Sequence, residues 1–464
     1  MTRSIFILLG YLALTALVLV MTVGLVAYGQ GYSYDFAHRR LTHNGLVIIS
    51  TQPSGATVKV DSKSGTKKTP YHASFEAGSY RFHVTKPGFE PWTKILNVVA
   101  SQVTLAEYIV LLPTHRPQAV LDTRVQMLGQ VITKDHRHLA YIAPGTNGGL
   151  IVLDLLTGKP TKMYQPAVAT ADIPEEVLSD VKWSDDGSHL LLGSNIAGTH
   201  IVRLITASDG SQINLTDKYH FDFSTLQFSS RDWRQMYWIS PDGLRRFDAG
   251  SQTVTGILAE KVSQFIFAGD KVLYVSSSEL GESLSSLDSR DRKQNIIQAL
   301  VKSPSYSIKY ANFEGQDILV IAPSADQVGT LYTNIYSTDI TTKVIARGVT
   351  NVLFSQNARM VTFYAADKFV SYDLEQSALL ARSVSYATVL PIGQQIQSLS
   401  YYDGAHLLIN RSGKLIFTEY DGMNEVDLGP LAPGMTPYRL ADQRAVISTN
   451  FVGDSFLVNS ISLR

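Results

Sequence analysis

The chain has 464 residues, 45% of them apolar, with forty basic and forty acidic side chains. That length predicts more than one domain, and the balanced charge leaves no basic footprint for nucleic acid. There is no cysteine, which excludes disulfides, thiolate metal sites and a cysteine nucleophile.

The first element is apolar. No charged residue occurs from Ser4 to Tyr34, and residues 5–28 are mostly Leu, Val, Ile, Ala and Thr. As a helix those 24 residues would span about 36 Å, enough to cross a hydrocarbon core of ~30 Å. A cleaved signal peptide is the alternative, but its apolar run would be about 7–15 residues. The expectation is therefore an uncleaved anchor in the lipid bilayer. Arg3 lies tight against its N-terminal end, whereas Asp35, Arg39 and Arg40 lie several residues beyond the other. The positive-inside rule then places residues 1–4 in the cytoplasm and the bulk of the chain outside it. Residues 29–44 read as a stem.

From Gly45 the apolar pattern has period two. Val47 and Ile49, then Val58 and Val60, then Tyr80, Phe82 and Val84 alternate with other residues, as in half-buried strands. Turn signals separate them: Pro53-Ser54-Gly55, Ser62 to Gly65, Thr69-Pro70, Ala77-Gly78 and Lys86-Pro87-Gly88. The segment resembles a PEGA domain. The eponymous motif reads Pro53-Ser54-Gly55-Ala56, with Ser in place of Glu. Val58 to Asp61, Thr69-Pro70, Gly78-Ser79-Tyr80, Lys86 to Phe89 and Trp92 also match. The resemblance implies a small β-sandwich, here over residues 45–112, in a bacterial or archaeal envelope protein. In that family the module is a spacer or adhesion unit.

The remainder, residues 113–464, hides a repeat. A polar residue followed by three mostly apolar ones recurs at His138, His189, Gln235, Lys271, Asp317, Arg359, His406 and Arg444. The spacings average about 44 residues, within the range for propeller blades. Asp-led turns follow the first seven, at Asp154, Asp209, Asp248, Asp288, Asp339, Asp373 and Asp421. Four strands per repeat make a blade. Trp183-Ser-Asp-Asp-Gly187 resembles the TolB/WD40-like repeat. Eight second strands but seven Asp-led turns leave the last blade one strand short. Residues 117–124, a spare strand before the first blade, are expected to pair with residues 455–463 and close the ring. The predicted class is all-β: a transmembrane helix, a PEGA-like sandwich, then an eight-bladed propeller, with seven blades as the alternative.

Chemistry is sparse. The chain lacks H-E-x-x-H, G-x-S-x-G, a phosphate loop and an EF-hand. Gly193 to Gly198 has half the spacing of a phosphate loop but no Lys, and reads as a hairpin turn. His136 and His138 lie two apart, as a metal pair would. His138, His189 and His406 share one repeat position, however, which reads as a solvated strand start. The Asp-led turns likewise read as turn formers rather than calcium ligands. Ser276 to Ser289, rich in Ser and Leu, reads as a flexible insertion. No catalytic, cofactor-binding or metal residue is expected.

One loop stands apart. Tyr219-His220-Phe221-Asp222-Phe223 is aromatic between the second and third blades. Exposed aromatics mark contact surfaces, so Tyr219, His220, Phe221 and Phe223 are the expected partner-binding residues; packing between blades is the alternative. The functional expectation is a non-catalytic binding or scaffolding protein of the cell envelope. Its ligand would be a protein, peptide or glycan at the propeller face carrying the connections between blades. The alternative is a propeller enzyme acting on envelope glycans or peptides, which would need carboxylates converging from several blades.

Overall fold

The computed structural model describes residues 2–463 except 30, 36–38, 62, 125, 146–147, 168–173, 217–218, 280, 289–292, 338, 380, 443 and 454. The chain divides into two compact units, 1–116 with 463–464, and 117–462.

The first unit opens with helix Thr2–Gly29. Its stretch Gly10–Gly29 is the one described helix long and apolar enough to cross a membrane, and none of that stretch is buried inside the protein. By length and composition it is a candidate membrane span or signal sequence. The following residues do not form the expected loose stem. Tyr32–Asp35 pairs antiparallel with the start of Arg40–Gln52, so the sheet begins three residues after the helix ends. The physical reason is that Tyr32, Ser33 and Tyr34 extend the ladder of a 13-residue strand, satisfying backbone groups that a stem would leave to water.

Two four-stranded sheets follow. One joins Tyr32–Asp35, Arg40–Gln52, Tyr71–Glu76 and Val103–Val110, the last parallel to Arg40–Gln52. The other orders Lys63–Lys68, Thr57–Val60, Gly78–Thr85 and Trp92–Val98. Val47, Ile49, Val58, Phe82, Val84, Trp92, Leu96 and Ile109 fill the shared core. These include the inward positions of the period-two pattern, because successive strand side chains face opposite sides. Ser54 lies in the turn, where its carbonyl accepts a hydrogen bond from Lys86 Nζ at 2.6 Å. The Glu-to-Ser departure thus leaves that turn tied to the Lys86 turn.

The second unit is a β-propeller built of repeated antiparallel sheets. Its first runs in the order Leu128–Ile132, His138–Ala143, Gly149–Asp154, Lys159–Tyr164. Among the described residues seven more follow around the chain, and the third of the eight carries an extra short strand, Ala259–Glu260. Second strands begin at or next to the residues of the repeat: His138, His189, Gln235, Lys271, Gln316, Met360, His406 and Ala445. In the first blade the second and third strands are almost wholly buried, whereas the fourth strand Lys159–Tyr164 is largely exposed. First strands of several successive sheets lie side by side, Leu128–Ile132 against Glu176–Trp183 among them, which makes the first strands the inner ones. The eighth sheet is completed by the strand before the first: Ser455–Ser462 pairs antiparallel with Gln118–Arg124. The Ser462 N–H adds a bond to the Pro117 carbonyl at 2.9 Å. The ring is therefore sewn from both ends of its own chain, which removes two exposed strand edges.

Alternating strand direction sorts the loops. Turns between strands two and three, and connections between blades, share one face. Turns between strands one and two, and three and four, share the other. Asp154 ends a third strand and accepts from the N–H groups of Leu156 and Thr157 at 2.9 and 3.1 Å. Asp209 and Asp248 cap their turns in the same way, as Asx turns do. Part of the Ser276–Ser289 stretch, including Ser289, lies outside the described residues. The described part is a hairpin of Lys271–Ser278 with Gly281–Asp288, so regular pairing replaces the expected insertion there.

Candidate functional site

The expected contact loop is mostly interior. Phe221 and Phe223 are buried, at 6% and 5% exposure. Phe221 sits edge-on to Trp238 and Phe247, with ring centroids 4.9 and 5.4 Å away. Tyr219 lies against Phe247 and donates its hydroxyl hydrogen to the Gln252 carbonyl at 2.8 Å. Gln252 belongs to the turn on the opposite face, so Tyr219 follows the flank of the third blade. His220 and Asp222 are exposed, and of the four residues expected to bind a partner His220 alone is. The aromatic run is thus core packing, driven by the apolar area each ring removes from water. Phe221→Ala is expected to cost about 3–5 kcal/mol of unfolding free energy, and His220→Ala less than about 0.5. Denaturant melts of the two variants check this; equal, small losses would return the loop to the surface.

Phe223 is pinned from the second blade. Lys182 Nζ donates to the carbonyls of Phe223, Ser224 and Leu226 at 2.6, 3.1 and 2.9 Å. Burial of this ammonium lowers its pKa, against the pull of Asp180 and Asp222. Gly193 makes room for the ring, since a Cβ there would lie 3.2 Å from Phe223 Cγ. The expected hairpin at Gly193–Gly198 is present, formed by His189–Ile196 and Thr199–Thr206.

The histidines also depart from expectation. His189 and His406 are buried, at 9% and 2% exposure, so their shared position is not a solvated strand start. His189 stacks on Trp233 with centroids 3.5 Å apart. His406 Nδ1 lies 2.9 Å from both carboxylate oxygens of Asp403. His136 Nδ1 bonds the Arg439 carbonyl at 2.9 Å, away from the partner that a metal pair with His138 would require. Among the described residues no group of three His, Asp or Glu side chains is placed to hold a metal ion.

An opening lies elsewhere, between the first and second blades. It is a cleft of about 440 Å³ lined by both blades, on the face that carries the connections. Ile142 and Ala143 end a second strand, Pro144 and Gly145 begin the turn after it, and Gln165 to Ala167 begin the interblade connection. Leu128 and Glu175 to Leu178 come from the two inner strands and their approach. The wall is apolar, and Val177 and Leu128 remain 55% and 47% exposed at it.

A buried charge supports that wall. The Glu176 side chain is 1% exposed and paired with Arg203 from the middle of its blade. Its carboxylate also accepts from Tyr164 Oη and Ser194 Oγ, both at 2.6 Å. Arg203 donates to Ser194 Oγ at 2.8 Å and lies over the Tyr164 ring, 4.8 Å from its centroid. Burial alone would raise the Glu176 pKa, but Ser194, Tyr164 and Arg203 together outweigh it and hold it below the usual value. Tyr164, buried and donating to that carboxylate, is pushed up to about 12. Every oxygen of Glu176 is engaged, so the group fixes the seam between two blades rather than offering a free base. Sequence reasoning missed it. The available signal was Arg203 inside the apolar run His200 to Ile205, a charge where a strand core is expected.

A second opening of about 400 Å³ lies along the inner strands of blades three to five, lined by Gln227, Ser263, Gln264, Ser307 and Lys309 among others. It is polar. Across all eight described inner strands the carboxylates are Glu176 and Asp180, both from the second blade.

Comparison with known proteins agrees with the two-part architecture. Residues 44–109 match the PEGA domain family. No curated protein matches the chain in sequence. Among solved structures, the dihydro-heme d1 dehydrogenase NirN in complex with DHE is similar at 14% identity and a TM-score of 0.50. The match covers 68% of this chain and 69% of that one. The Dos1 propeller is similar at 13% identity and a TM-score of 0.48, over 75% of this chain and 94% of that one. At such identities the likeness is one of fold.

Proposed function

We propose that this chain, a PEGA domain followed by a β-propeller, is a membrane-anchored, extracytoplasmic binding and scaffolding protein. The N-terminal helix holds it in the bilayer with its N-terminus inside and the bulk of the chain outside. The propeller binds a partner without chemistry, in the cleft between its first and second blades. The observation that carries this is the cleft itself. It opens on the connection-bearing face, its wall is mostly apolar, and among the described residues its buried carboxylate, Glu176, is already neutralised by Arg203. Pockets of this kind, apolar with few polar groups, are the usual seats of ligands. Among the described residues the lining has no aromatic ring on which a sugar would stack, so a protein or peptide segment with an apolar side chain fits better than a glycan. Hydrolysis of a glycan takes two carboxylates flanking the bond. On the described inner strands only one blade supplies any, and Glu176 is engaged.

Val177→Asp and Leu128→Asp test the reading. Both side chains are exposed, so the fold should tolerate them. An Asp buried against an apolar partner loses contact area and is left unpaired. Co-purification from native membranes, quantified against the parent chain, is expected to fall at least about ten-fold, which is ~1.4 kcal/mol. Undiminished recovery with both variants would place binding elsewhere. Turnover of cell-wall glycan by the purified ectodomain would overturn the non-catalytic reading.

A further inference from the structure

Backbone hydrogen bonds tie Gly31 to both the helix end and the first sheet. The Gly31 N–H donates to the Tyr28 carbonyl at 3.0 Å, capping the helix. The Gly31 carbonyl accepts from the Asn44 N–H at 2.7 Å, and the Asn44 carbonyl accepts from the Ser101 N–H at 3.0 Å. Gly31 has φ +85°, and a Cβ there would lie 2.3 Å from the Asn44 carbonyl oxygen. Only glycine fits both demands.

The hairpin that follows is turned inside out. Ser33 and Thr42 are opposite one another, as are Tyr34 and Leu41, and Tyr32 and His43. Ser33, Thr42 and Asn44 form the inner face: Ser33 Oγ lies 2.8 Å from Thr42 Oγ1 and 2.7 Å from Asn44 Nδ2. Thr42 is 8% exposed. Tyr32, Tyr34, Leu41 and His43 form the outer face. The Tyr32 and His43 rings stack at 4.1 Å, while Tyr34 and Leu41 are 49% and 66% exposed. A hairpin in water turns its apolar face inward. This one presents Leu and Tyr outward, directly after a helix whose last residues include the 76% exposed Tyr28.

We propose that Tyr28, Tyr34 and Leu41 lie in the interfacial layer of the lipid bilayer, so that the hairpin docks the first module flat on the membrane surface. The proposal rests on the helix being a membrane span. The uncharged part of the helix is about 39 Å long, against a hydrocarbon core of ~30 Å. Its C-terminal end therefore reaches the headgroup layer, and the hairpin starts there. Tyr is enriched at that depth because its ring is apolar and its hydroxyl is wet. Arg39 is exposed at the start of the second hairpin strand, and a cation there is drawn to lipid phosphates. A lipid surface satisfies all of these features together; a protein partner would have no reason to sit against the end of the span.

The chain has no cysteine, so single nitroxide labels report cleanly. The test uses full-length protein in vesicles of phosphatidylcholine and phosphatidylglycerol, with Leu41→Cys, Tyr34→Cys, Leu19→Cys in the helix and Lys59→Cys on an exposed strand position. Accessibility to oxygen and to a water-soluble nickel chelate is measured at each. The expected result is nickel accessibility at 41 and 34 several-fold below that at 59, with oxygen accessibility raised toward that at 19. If 41 and 34 match 59 while 19 is lipid-like, the hairpin proposal is wrong and the anchor stands. If 19 is also water-like, the anchor reading fails and the hairpin proposal falls with it.

Discussion

A chain truncated after Ser455 is expected to lose cooperative melting and to aggregate. The missing residues form most of the third strand of the eighth sheet, paired on one side with Ala445–Val452 and on the other with Gln118–Arg124. Val458 and Ile461 are fully buried there. Removing them exposes two strand edges and a slice of core at once, and unpaired edges are templates for association. A gentler variant separates ring closure from simple loss of core. Ala119 and Ser460 are paired across the seam. Paired strand residues lie about 4.5–5.5 Å apart, within reach of a disulfide. Ala119→Cys with Ser460→Cys should oxidise to a single intramolecular bond and raise the melting temperature. Failure to form that bond in a folded chain would mean that the two ends do not meet as described.

The second large effect is expected at Glu176. Replacing Arg203 by Met keeps the volume but strands a buried carboxylate. Breaking one partner of a buried pair costs about 3–5 kcal/mol. The loss should depend on pH. In the parent chain the pKa of Glu176 is held low, so the pair's contribution is full above the unfolded carboxylate pKa. It fades as pH falls through the lowered folded value. In the variant, burial acts without Arg203 and raises that pKa. The penalty should therefore be greatest near neutral pH and shrink as Glu176 takes a proton. Urea melts at about pH 7.5 and about pH 4.5 measure the difference. A small loss, equal at both, would mean that the carboxylate is solvated.

The blades were legible because their second strands are buried on both sides. Such strands read as short apolar runs after a polar residue, and the spacing of His138, His189, Lys271 and His406 marks them directly. The closing strand was legible from counting alone: the last repeat lacked one strand, and residues 117–124 had no blade of their own. What failed was the inference of surroundings from residue type. Tyr219 to Phe223 is aromatic whether it faces a partner or Trp238, and only the third blade's packing decides. The same blindness hid the hairpin at Tyr32–Asp35. Alternation says that two faces differ, not which one meets water. His189 and His406 were read as solvated because imidazole is polar, yet Trp233 and Asp403 give them buried partners. Glu176 and Arg203 were invisible as a pair, being brought together by the register of three strands.

A partner seated in the cleft between the first and second blades would lie within reach of a photocrosslinker placed there. The most direct measurement is photocrosslinking in native membranes from two positions of the first two blades. One is Val177, exposed in the cleft. The other is Leu156, comparably exposed, at 47%, but in a turn on the opposite face. A discrete adduct is expected from a crosslinker at 177 and none from one at 156. No adduct from 177, or adducts of equal yield from both, would contradict binding in the cleft.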